Sequence, residues 1–389
     1  MTTLAQDLVE VTGGVDTHKD THTAAVLDGL GRLLAVAEFP ADAAGYRELV
    51  GWLRSFGSLV LVGVEGTGAY GAGLARHLHR EKIAVVEIDR PDRKARRWQG
   101  KSDPVDAEAA AKAALTGRRT GTPKQRDGRI EAIRALRIAR RSAVDQRSDV
   151  LRQIKDLIVT APEELRAALR ALGDAKLIAT CANASPETEH HERPAVATRT
   201  APRSPARRHQ HLSTEIKELE ALIHPLVTHA APNLLALHGV GPDVAGQLLV
   251  TAGENPERLR SEAAFAMLCG AAPLPASSGR THRHRPNRGA DRAANAALHR
   301  IVICRLRWDQ RTRAYVEHRT TEGLTKKEII RCLKRYVARE IYQTLTTTTT
   351  GQPQEHPNPV NRTSGAGAAG QWTLVRGSVW SGARTVNGA

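Results

Sequence analysis

The hydrophobic pattern of this 389-residue chain changes near Arg129, and the change limits the folds open to it. Before Arg129, short apolar runs of strand length alternate with helical segments. One of these runs, Leu59–Val64, is apolar enough to be a central strand of a sheet. After Arg129, apolar residues recur at helical spacing. We therefore expect an α/β domain over residues 12–125 and predominantly helical structure after it.

The first hundred residues contain three successive predicted strands before helices begin to alternate with strands. The three strands are Gly13–Asp16, Thr23–Leu27 and Leu33–Phe39. An antiparallel meander that is extended by parallel crossovers produces this order, and it is the order of an RNase H-like domain. Actin-like ATPases share the order, but the loop after Asp16 lacks the glycines that wrap phosphates, so they are the least favoured alternative.

The middle of the chain, residues 126–230, has the heptad spacing that is typical of a coiled coil. Apolar residues recur every seven positions from Val144 to Ile158, and Leu212–Leu226 follows a 4-3-4-3 spacing. We expect two long helices that pair as an antiparallel coiled coil. Residues 185–208 are rich in Pro, His, Glu and Thr without a period, which predicts a loop or a disordered insertion.

Residues 231–345 are predicted to form a compact helical domain, and residues 346–389 a disordered tail. The helical domain begins near a turn, Leu237–Pro242, that contains Gly239 and Gly241 and resembles the hairpin of helix-hairpin-helix DNA binders. In such a hairpin the glycines let backbone N–H groups approach a phosphate closely. A simple turn between two helices is the alternative. The tail begins with consecutive threonines and has no core pattern.

Positive charge is concentrated in two segments of the chain. The 57 Lys and Arg residues against 41 Asp and Glu give a net charge of +16. Residues 118–170 carry 14 basic and 7 acidic side chains, a balance of +7, and residues 280–319 carry 11 and 3, a balance of +8. Concentrated arginine favours nucleic acid as a partner, and a solvated arginine-rich surface is the alternative. The candidate contacts of the first segment are Arg137, Arg140, Arg141 and Arg147.

Four carboxylates of the N-terminal domain stand where an RNase H-like sheet would bring them together. Asp16 ends the first strand, Glu65 ends the central strand, and Asp103 and Asp106 are three residues apart at the start of a later helix. Converging carboxylates repel one another unless cations neutralise them, and Mg²⁺ prefers oxygen ligands. Two such ions can promote phosphoryl transfer. Ordinary roles are the alternatives: a turn residue for Asp16, and the cap and first turn of a helix for Asp103 and Asp106.

Three motifs carry these carboxylates: Gly14–Lys19, Glu65–Gly68 and Lys101–Ala107. Two further motifs, Gly239–Gly241 and Leu268–Arg280, follow in the C-terminal half. Together they resemble the RuvC-like DEDD domain and the serine-containing C-terminal domain of the IS110 family of insertion-sequence transposases, over roughly residues 12–345. The resemblance implies a DNA recombinase whose donor and target DNA are both chosen by a noncoding bridge RNA. It also implies a tetramer that is built from two dimers.

The same resemblance implies roles for individual residues. Asp16, Glu65, Asp103 and Asp106 become ligands of Mg²⁺. Ser278, the serine before Gly279, becomes the nucleophile, with Ser277 as its nearest competitor and a polar turn as the alternative interpretation. The basic strip after the serine is implied to contact phosphates beside the scissile bond, unless it is a solvated loop. Its candidate residues are Arg280, Arg283, Arg285 and Arg288.

Two other classes of function remain open. A structure-specific nuclease would use the four acids and water without the serine. A non-catalytic DNA- or RNA-binding protein, such as an inactive copy of a mobile element, would need neither the acids nor the serine.

The N-terminal segment and the apolar runs predict where the protein acts. No apolar run approaches the roughly 18 residues of a membrane span, and Met1–Val11 lacks the pattern of a secretory signal. We therefore expect a cytoplasmic protein with no membrane partner. The resemblance to insertion-sequence transposases further implies a bacterial protein that is associated with the nucleoid.

Overall fold

The computed structural model describes residues 9–88, 102–185, 192–255, 258–279 and 284–347. The chain divides into two compact units. The first consists of the residues up to Gly128 together with Ala252–Phe265, and the second of Arg129–Thr251 and the residues from Ala266 onward. Beyond Thr347, the predicted tail lies outside the described residues, and Thr346 and Thr347 themselves end a helix.

A six-stranded mixed sheet forms the centre of the first unit. In the order β3-β2-β1-β4-β5-β6, the first three strands of the chain are antiparallel, β4 and β5 run parallel to β1, and β6 is antiparallel to β5. The prediction of an α/β N-terminal domain is confirmed. The strands are β1 (Glu10–Thr17), β2 (Thr21–Asp28), β3 (Leu33–Pro40), β4 (Ser58–Glu65), β5 (Val85–Ile88) and β6 (Thr120–Gly121).

Helix α1 (Ala43–Arg54) shows how local sequence fixes an element of this unit. The Asp42 carboxylate accepts hydrogen bonds from the backbone N–H groups of Ala44 and Gly45, at 2.9 and 2.8 Å, which satisfies donors that a helix start leaves open. Its apolar face buries Leu49 and Leu53 in a core with sheet residues, and α2 (Ala72–Arg80) adds Leu74 and Leu78 to the same core. Burial of these faces stabilises both helices on the sheet.

Helix α3 (Asp103–Thr116) approaches the sheet unusually closely because its buried face is made of alanines. These are Ala107, Ala110, Ala111 and Ala114. A Cβ added at Gly14 of β1 would lie 2.0 Å from the backbone nitrogen of Ala111 and 2.4 Å from the carbonyl oxygen of Ala107. Only glycine fits there. This close packing holds the N-terminal turn of α3, with Asp103 and Asp106, against the sheet.

Two long helices pack against each other in the second unit. Helix α4 (Arg129–Val159) contributes Val150, Ile154 and Ile158 to a buried core, and α8 (Arg203–Ala230) contributes Leu212 and Ile216. Helices α5 (Glu163–Arg170) and α6 (Asp174–Asn183) also pack in this unit. The two predicted long helices are present, and their coiled-coil geometry stays a prediction.

The prediction of a loop over residues 185–208 is wrong for most of that segment. Residues 186–191 lie outside the described part of the chain, but Pro194–Thr200 forms helix α7 and α8 begins at Arg203. Two of the prolines that suggested a loop occupy first turns: Pro194 is the first residue of α7, and Pro205 lies in the first turn of α8. A helix needs no backbone donor from those positions, so proline is tolerated there.

The remaining elements of the chain are mostly helices. They are α9 (Pro232–Leu235), α10 (Pro242–Ala252), α11 (Glu262–Leu268), β7 (Leu274–Pro275), β8 (His284–Arg285), α12 (Arg292–Trp308), α13 (Gln310–Thr321) and α14 (Lys326–Thr347). The strands β7 and β8 pair as an antiparallel hairpin. Among the described residues, no helix is both long enough and apolar enough to span a membrane.

Candidate active site

The ends of β1 and β4 place two of the predicted site residues, Asp16 and Glu65, at neighbouring positions of adjacent strands. The strands are parallel, with Val15 opposite Val64, so Asp16 and Glu65 follow at the same edge of the sheet. The Thr17 hydroxyl donates a hydrogen bond of 2.9 Å to the carbonyl oxygen of Glu65, which ties the two strand ends together. Asp16 is 8% exposed, and Glu65 is half-buried.

The N-terminal turn of α3 brings the other two carboxylates into this region. Asp103 is the first helical residue and Ser102 is the cap, so the alternative in which Asp103 caps the helix is wrong. The Asp103 side chain is 45% exposed and points to His18, whereas Asp106 is buried. Carboxylates in a first turn also lie at the positive end of the helix dipole.

His18 joins Asp16 and Asp103. Its Nε2 atom lies 3.2 Å from Asp16 Oδ2 and 3.3 Å from Asp103 Oδ1. The tight turn between β1 and β2 fixes its backbone, because His18 N–H donates to the carbonyl oxygen of Thr21 at 3.0 Å. One ligand atom from each of the three side chains lies within 4.8 Å of the others, a spacing that would suit a shared metal ion.

The pKa of the Asp16 carboxyl is raised, chiefly by burial. His18 opposes the increase, while the neighbouring Asp106 and Asp103 add to it. At least three carboxylates are therefore close enough to repel one another. A divalent cation would relieve this repulsion, and the donor set fits one: carboxylate oxygens suit Mg²⁺ and Mn²⁺, and an imidazole nitrogen suits the latter.

Ser278 lies in the connection between β7 and β8 of the second unit. The hairpin register pairs Leu274 with Arg285 and Pro275 with His284. Ser277 and Ser278 are both exposed, so exposure does not choose between them. Gly279 adopts a positive φ of 53°, and an added Cβ would meet no neighbour within 4 Å among the described residues. The structure describes Arg285 and Arg288, both exposed, whereas Arg280 and Arg283 lie outside the described residues.

The arginines of α4 that were predicted to contact nucleic acid have different surroundings. Arg137 is 13% exposed, and its Nη1 donates to both the carbonyl and the carboxylate of Asp243 at 2.6 Å. Arg140 pairs with Glu220 and with the same Asp243 carboxylate. These ion pairs leave little of Arg137 for a ligand. Of the other two candidates, Arg141 is exposed and Arg147 is half-buried.

Gly239 and Gly241 lie in the turn between α9 and α10, as the sequence predicts. Gly239 has a positive φ of 81°, and a Cβ there would lie 3.4 Å from the carbonyl oxygen of Ile301. Asp243, in the first turn of α10, forms ion pairs with Arg137, Arg140 and Arg300. The Asp243 carboxylate therefore lies at the N-terminal end of α10, where the helix dipole is positive. The contact of the two glycines with nucleic acid stays a prediction.

Comparison with known proteins identifies the family. A DEDD transposase model of the IS110 type matches residues 13–161, and a model described as the transposase IS116/IS110/IS902 family matches residues 231–317. The chain belongs to the IS110 family of transposases. A relative from Streptomyces coelicolor (strain ATCC BAA-471 / A3(2) / M145), named as the transposase of the IS117 mini-circle, is 25% identical over 335 residues. The similarity covers 71% of this chain and 80% of the relative.

The family assignment makes this chain a DNA transposase, an enzyme that acts on DNA. The first matched region contains Asp16, Glu65, Asp103 and Asp106, and the second contains Ser278 and the Gly239–Gly241 turn. A DEDD domain, together with the acidic site at Asp16, indicates the use of a divalent metal ion.

His18 is not among the predicted site residues. A signal was present, because His18 follows Asp16 by two residues and successive side chains of a strand alternate between faces. The motif therefore predicts that the His18 imidazole and the Asp16 carboxylate lie on the same side of the strand. The approach of His18 to Asp103, 85 residues further along the chain, depends on how α3 packs on the sheet and could not be derived from local pattern.

Proposed function

We propose that this IS110-family transposase is a site-specific recombinase that cleaves and rejoins DNA strands through a covalent bond to Ser278. Its N-terminal domain is RNase H-like and holds Mg²⁺. The convergence of Asp16, Asp103 and Asp106 at one edge of the sheet, with Glu65 at the neighbouring strand end, is the observation that carries the proposal.

The proposed metal ligands are Asp16, Glu65, Asp103 and Asp106. His18 lies between Asp16 and Asp103 and would orient both carboxylates. When bound, Mg²⁺ supplies positive charge that stabilises the developing charge of phosphoryl transfer. The buried Asp16 and Asp106 would fix the position of that charge, whereas the more exposed Asp103 would face the substrate side. The pKa of Asp16 is raised chiefly by burial, and the further increase from Asp106 and Asp103 supports a cation shared by these carboxylates.

Ser278 is the proposed nucleophile. Its hydroxyl oxygen would attack the phosphorus and lose its proton, and the bond from phosphorus to the leaving deoxyribose oxygen would break, with a proton taken up by that oxygen. The phosphodiester energy is kept in the phosphoserine ester, so a hydroxyl of the partner strand can reverse the step without an energy cofactor. The exposure of Ser278 beside flexible Gly279 is consistent with access for DNA.

A guide RNA and an oligomer complete the proposal. The basic residues of the helical unit would hold a folded bridge RNA through its backbone and shape rather than through base edges. A dimer that pairs into a tetramer would hold donor and target DNA together. Because the substrates are chromosomal and element DNA, the protein would act in the cytoplasm at the nucleoid.

The covalent intermediate is the direct test of this proposal. A suicide DNA substrate that carries a nick is incubated with Mg²⁺ and the protein, which is then denatured and examined for attached labelled DNA. We expect an adduct with the wild type and with Ser277→Ala, and none with Ser278→Ala. The two serines are adjacent and both exposed, so Ser277→Ala is the control.

The alternatives give different results. An undiminished adduct in Ser278→Ala would move the nucleophile to another residue. If the wild type cleaves DNA without any adduct, the protein is a nuclease that uses water at the acidic site. If it binds DNA and neither cleaves it nor forms an adduct, the non-catalytic interpretation is correct.

A further inference from the structure

A cavity of about 780 Å³ lies within the second unit, at the base of the hairpin that carries Ser278. One wall is the loop Gly270–Pro273, which leads into β7, and a second wall is formed by β8 and the residues after it. The N-terminal turn of α12 and one face of α14 complete the lining. The cavity and the exposed serine therefore share a structural element.

The lining of this cavity is strongly cationic. It includes Arg285, Arg288, Arg331, Lys334, Arg335 and Arg339. Its carboxylates, Asp291 and Glu328, serve other purposes. Asp291 Oδ1 caps α12 and its Oδ2 accepts from the Thr251 hydroxyl, while Glu328 accepts from the backbone and hydroxyl of Thr325. The cations thus face a cavity whose acids are occupied by helix ends, and an anionic ligand would fit its charge.

Lys334 connects the cavity to the loop that leads to the serine hairpin. Its ammonium donates a 3.0 Å hydrogen bond to Asn295 Oδ1, and Asn295 Nδ2 donates to the carbonyl oxygens of Cys269 and Gly270 at 2.9 and 3.0 Å. Burial and the neighbouring Arg331 lower the pKa of Lys334. An anion beside Lys334 would offset the repulsion between the positive charges of Lys334 and Arg331. The hydrogen bond to Asn295 already holds the Lys334 ammonium in position for such a ligand.

Tyr336 adds an aromatic surface to this cationic lining. Its side chain is 48% exposed, so the ring is accessible to a ligand. The ring of Tyr315 packs edge-on against it, with centroids 5.6 Å apart and an interplanar angle of 86°, which fixes the orientation of Tyr336. Arginines next to an accessible aromatic ring are the combination that binds unpaired nucleotides through phosphate contacts and base stacking.

The cavity is too small to enclose a double helix. Ligand pockets of roughly 300–1,000 Å³ accommodate small molecules, whereas the major groove alone of a DNA duplex is about 12 Å wide. We propose that the cavity binds a short unpaired segment of the DNA strand that Ser278 attacks, with its phosphates on Arg331 and Lys334 and one base stacked on Tyr336. The inference rests on the proposed function for the identity of the strand, because the cavity adjoins the serine hairpin.

The test uses the full-length protein and a fluorescein-labelled 15-nucleotide oligothymidine, measured by fluorescence anisotropy at physiological salt. We expect Arg331→Ala and Tyr336→Ala each to weaken binding at least fivefold, and Tyr336→Phe, which keeps the ring, to bind within twofold of the wild type. Arg313→Ala is the matched control, since Arg313 is an exposed arginine of the same unit outside the cavity lining. Circular dichroism establishes that each variant is folded. Arg331 is exposed, so we expect Arg331→Ala to fold normally.

Competition and cross-linking identify the ligand and its position. Unlabelled single-stranded DNA should compete better than the matching duplex and at least as well as oligouridine RNA. An oligothymidine with 5-iododeoxyuridine should cross-link to the tryptic peptide Tyr336–Arg339. Unchanged affinity in both Arg331→Ala and Tyr336→Ala, a preference for duplex or for RNA, or cross-links elsewhere only would overturn the inference.

The proposed function and this inference fail separately. Ser278→Ala should bind oligothymidine like the wild type, because the cavity does not need the nucleophile. Loss of binding in the cavity variants, with no adduct in the wild type, would leave the binding site valid and refute the serine mechanism. A normal Ser278 adduct, together with unchanged oligothymidine binding in the cavity variants, would support the serine mechanism and refute the proposed binding site.

Discussion

Asp103 is more exposed than Asp16 and Asp106, and it does not cap its helix. The substitution Asp103→Asn keeps the shape of the side chain and removes its charge. We expect strand exchange in the presence of Mg²⁺ to fall by at least about 100-fold, because a group that stabilises transition-state charge is lost. The free energy of unfolding should change by less than about 0.5 kcal/mol, as for other exposed substitutions. Recombination assays and chemical denaturation measure the two effects.

Glu108→Gln is the control for this experiment. Glu108 lies on the same helix but pairs with Lys112 on the surface, so its neutralisation should leave strand exchange near the wild-type rate. If Asp103→Asn is as active as Glu108→Gln, Asp103 does not hold the metal ion and other residues must do so.

The four acids could be predicted individually from the sequence, but not all their neighbours could. Asp16 and Glu65 end apolar strands, and the ends of adjacent parallel strands meet at one edge. The contacts of Arg137 depend instead on Asp243, 106 residues away, and no local pattern contains that pairing. A surface arginine and an arginine in an internal ion pair therefore look alike in the sequence.

At the scale of elements, the packing of α3 on the sheet should be sensitive to one added methyl group. Gly14→Ala would place a Cβ within 2.4 Å of α3 backbone atoms, so the helix has to shift. We expect a loss of about 1–3 kcal/mol in the free energy of unfolding, which is typical of overpacking. The acids of α3 would move with the helix, so metal affinity should also fall. Denaturant titration and calorimetric Mn²⁺ titration measure these effects.

Gly51→Ala tests whether the effect comes from packing or from glycine itself. Gly51 lies within helix α1, and an added Cβ meets no described atom within 4 Å. This change should stabilise the protein by about 0.5–1 kcal/mol, because alanine favours helix over glycine. Equal effects of the two substitutions would show that α3 does not pack closely on β1.

Elements with a clear hydrophobic period were predictable, and elements identified by composition were not. The strands β1 to β3 follow from their short apolar segments, and β4 follows from the continuous apolar run Leu59–Val64. Helix α7 was not predicted because its proline and polar residues resemble a loop, and only the position of Pro194 in the first turn makes a helix possible. The proline content of the segment therefore did not predict its structure, because the effect of a proline depends on its position in the helix.

At the scale of the whole molecule, the Asp243 ion pairs hold several helices of the second unit together. Arg137 and Arg140 come from α4, Asp243 from α10 and Arg300 from α12. Removing one partner of such a cluster leaves charges without compensation, so Asp243→Asn should cost on the order of 3 kcal/mol in the free energy of unfolding at neutral pH. Asp149→Asn, at an exposed pair with Arg152, should have almost no effect.

The effect of Asp243→Asn should depend on pH. Burial by itself raises the pKa of Asp243, but Arg137, Arg300 and Arg140 together outweigh it and lower the pKa below its ordinary value. The stabilisation is therefore complete above the unfolded-state pKa of about 3.9 and is lost as the pH falls through the folded-state pKa. The difference between the wild type and Asp243→Asn in urea denaturation should shrink below about pH 4. A constant difference from pH 7 to pH 3 would contradict the role of this carboxylate.

The last prediction concerns RNA binding by the basic surface of the second unit. Every phosphate contact releases bound counterions, so the logarithm of the binding constant should fall linearly with the logarithm of salt concentration. Arg141 is exposed and Arg147 is half-buried, whereas Arg137 is engaged with Asp243. We therefore expect Arg141→Ala and Arg147→Ala to weaken binding of the proposed bridge RNA, and each to reduce the salt slope by about one.

Arg137→Ala provides the contrast that separates the two roles of arginine on α4. Because its guanidinium holds Asp243, this substitution should lower the free energy of unfolding and leave the salt slope of the remaining folded protein unchanged. Filter binding at several salt concentrations gives the slope, and urea denaturation gives the stability. If Arg141→Ala and Arg147→Ala leave both the affinity and the slope intact, RNA does not bind this face of α4. A change of slope in stable Arg137→Ala protein would mean that the ion pairs open to let nucleic acid reach the guanidinium.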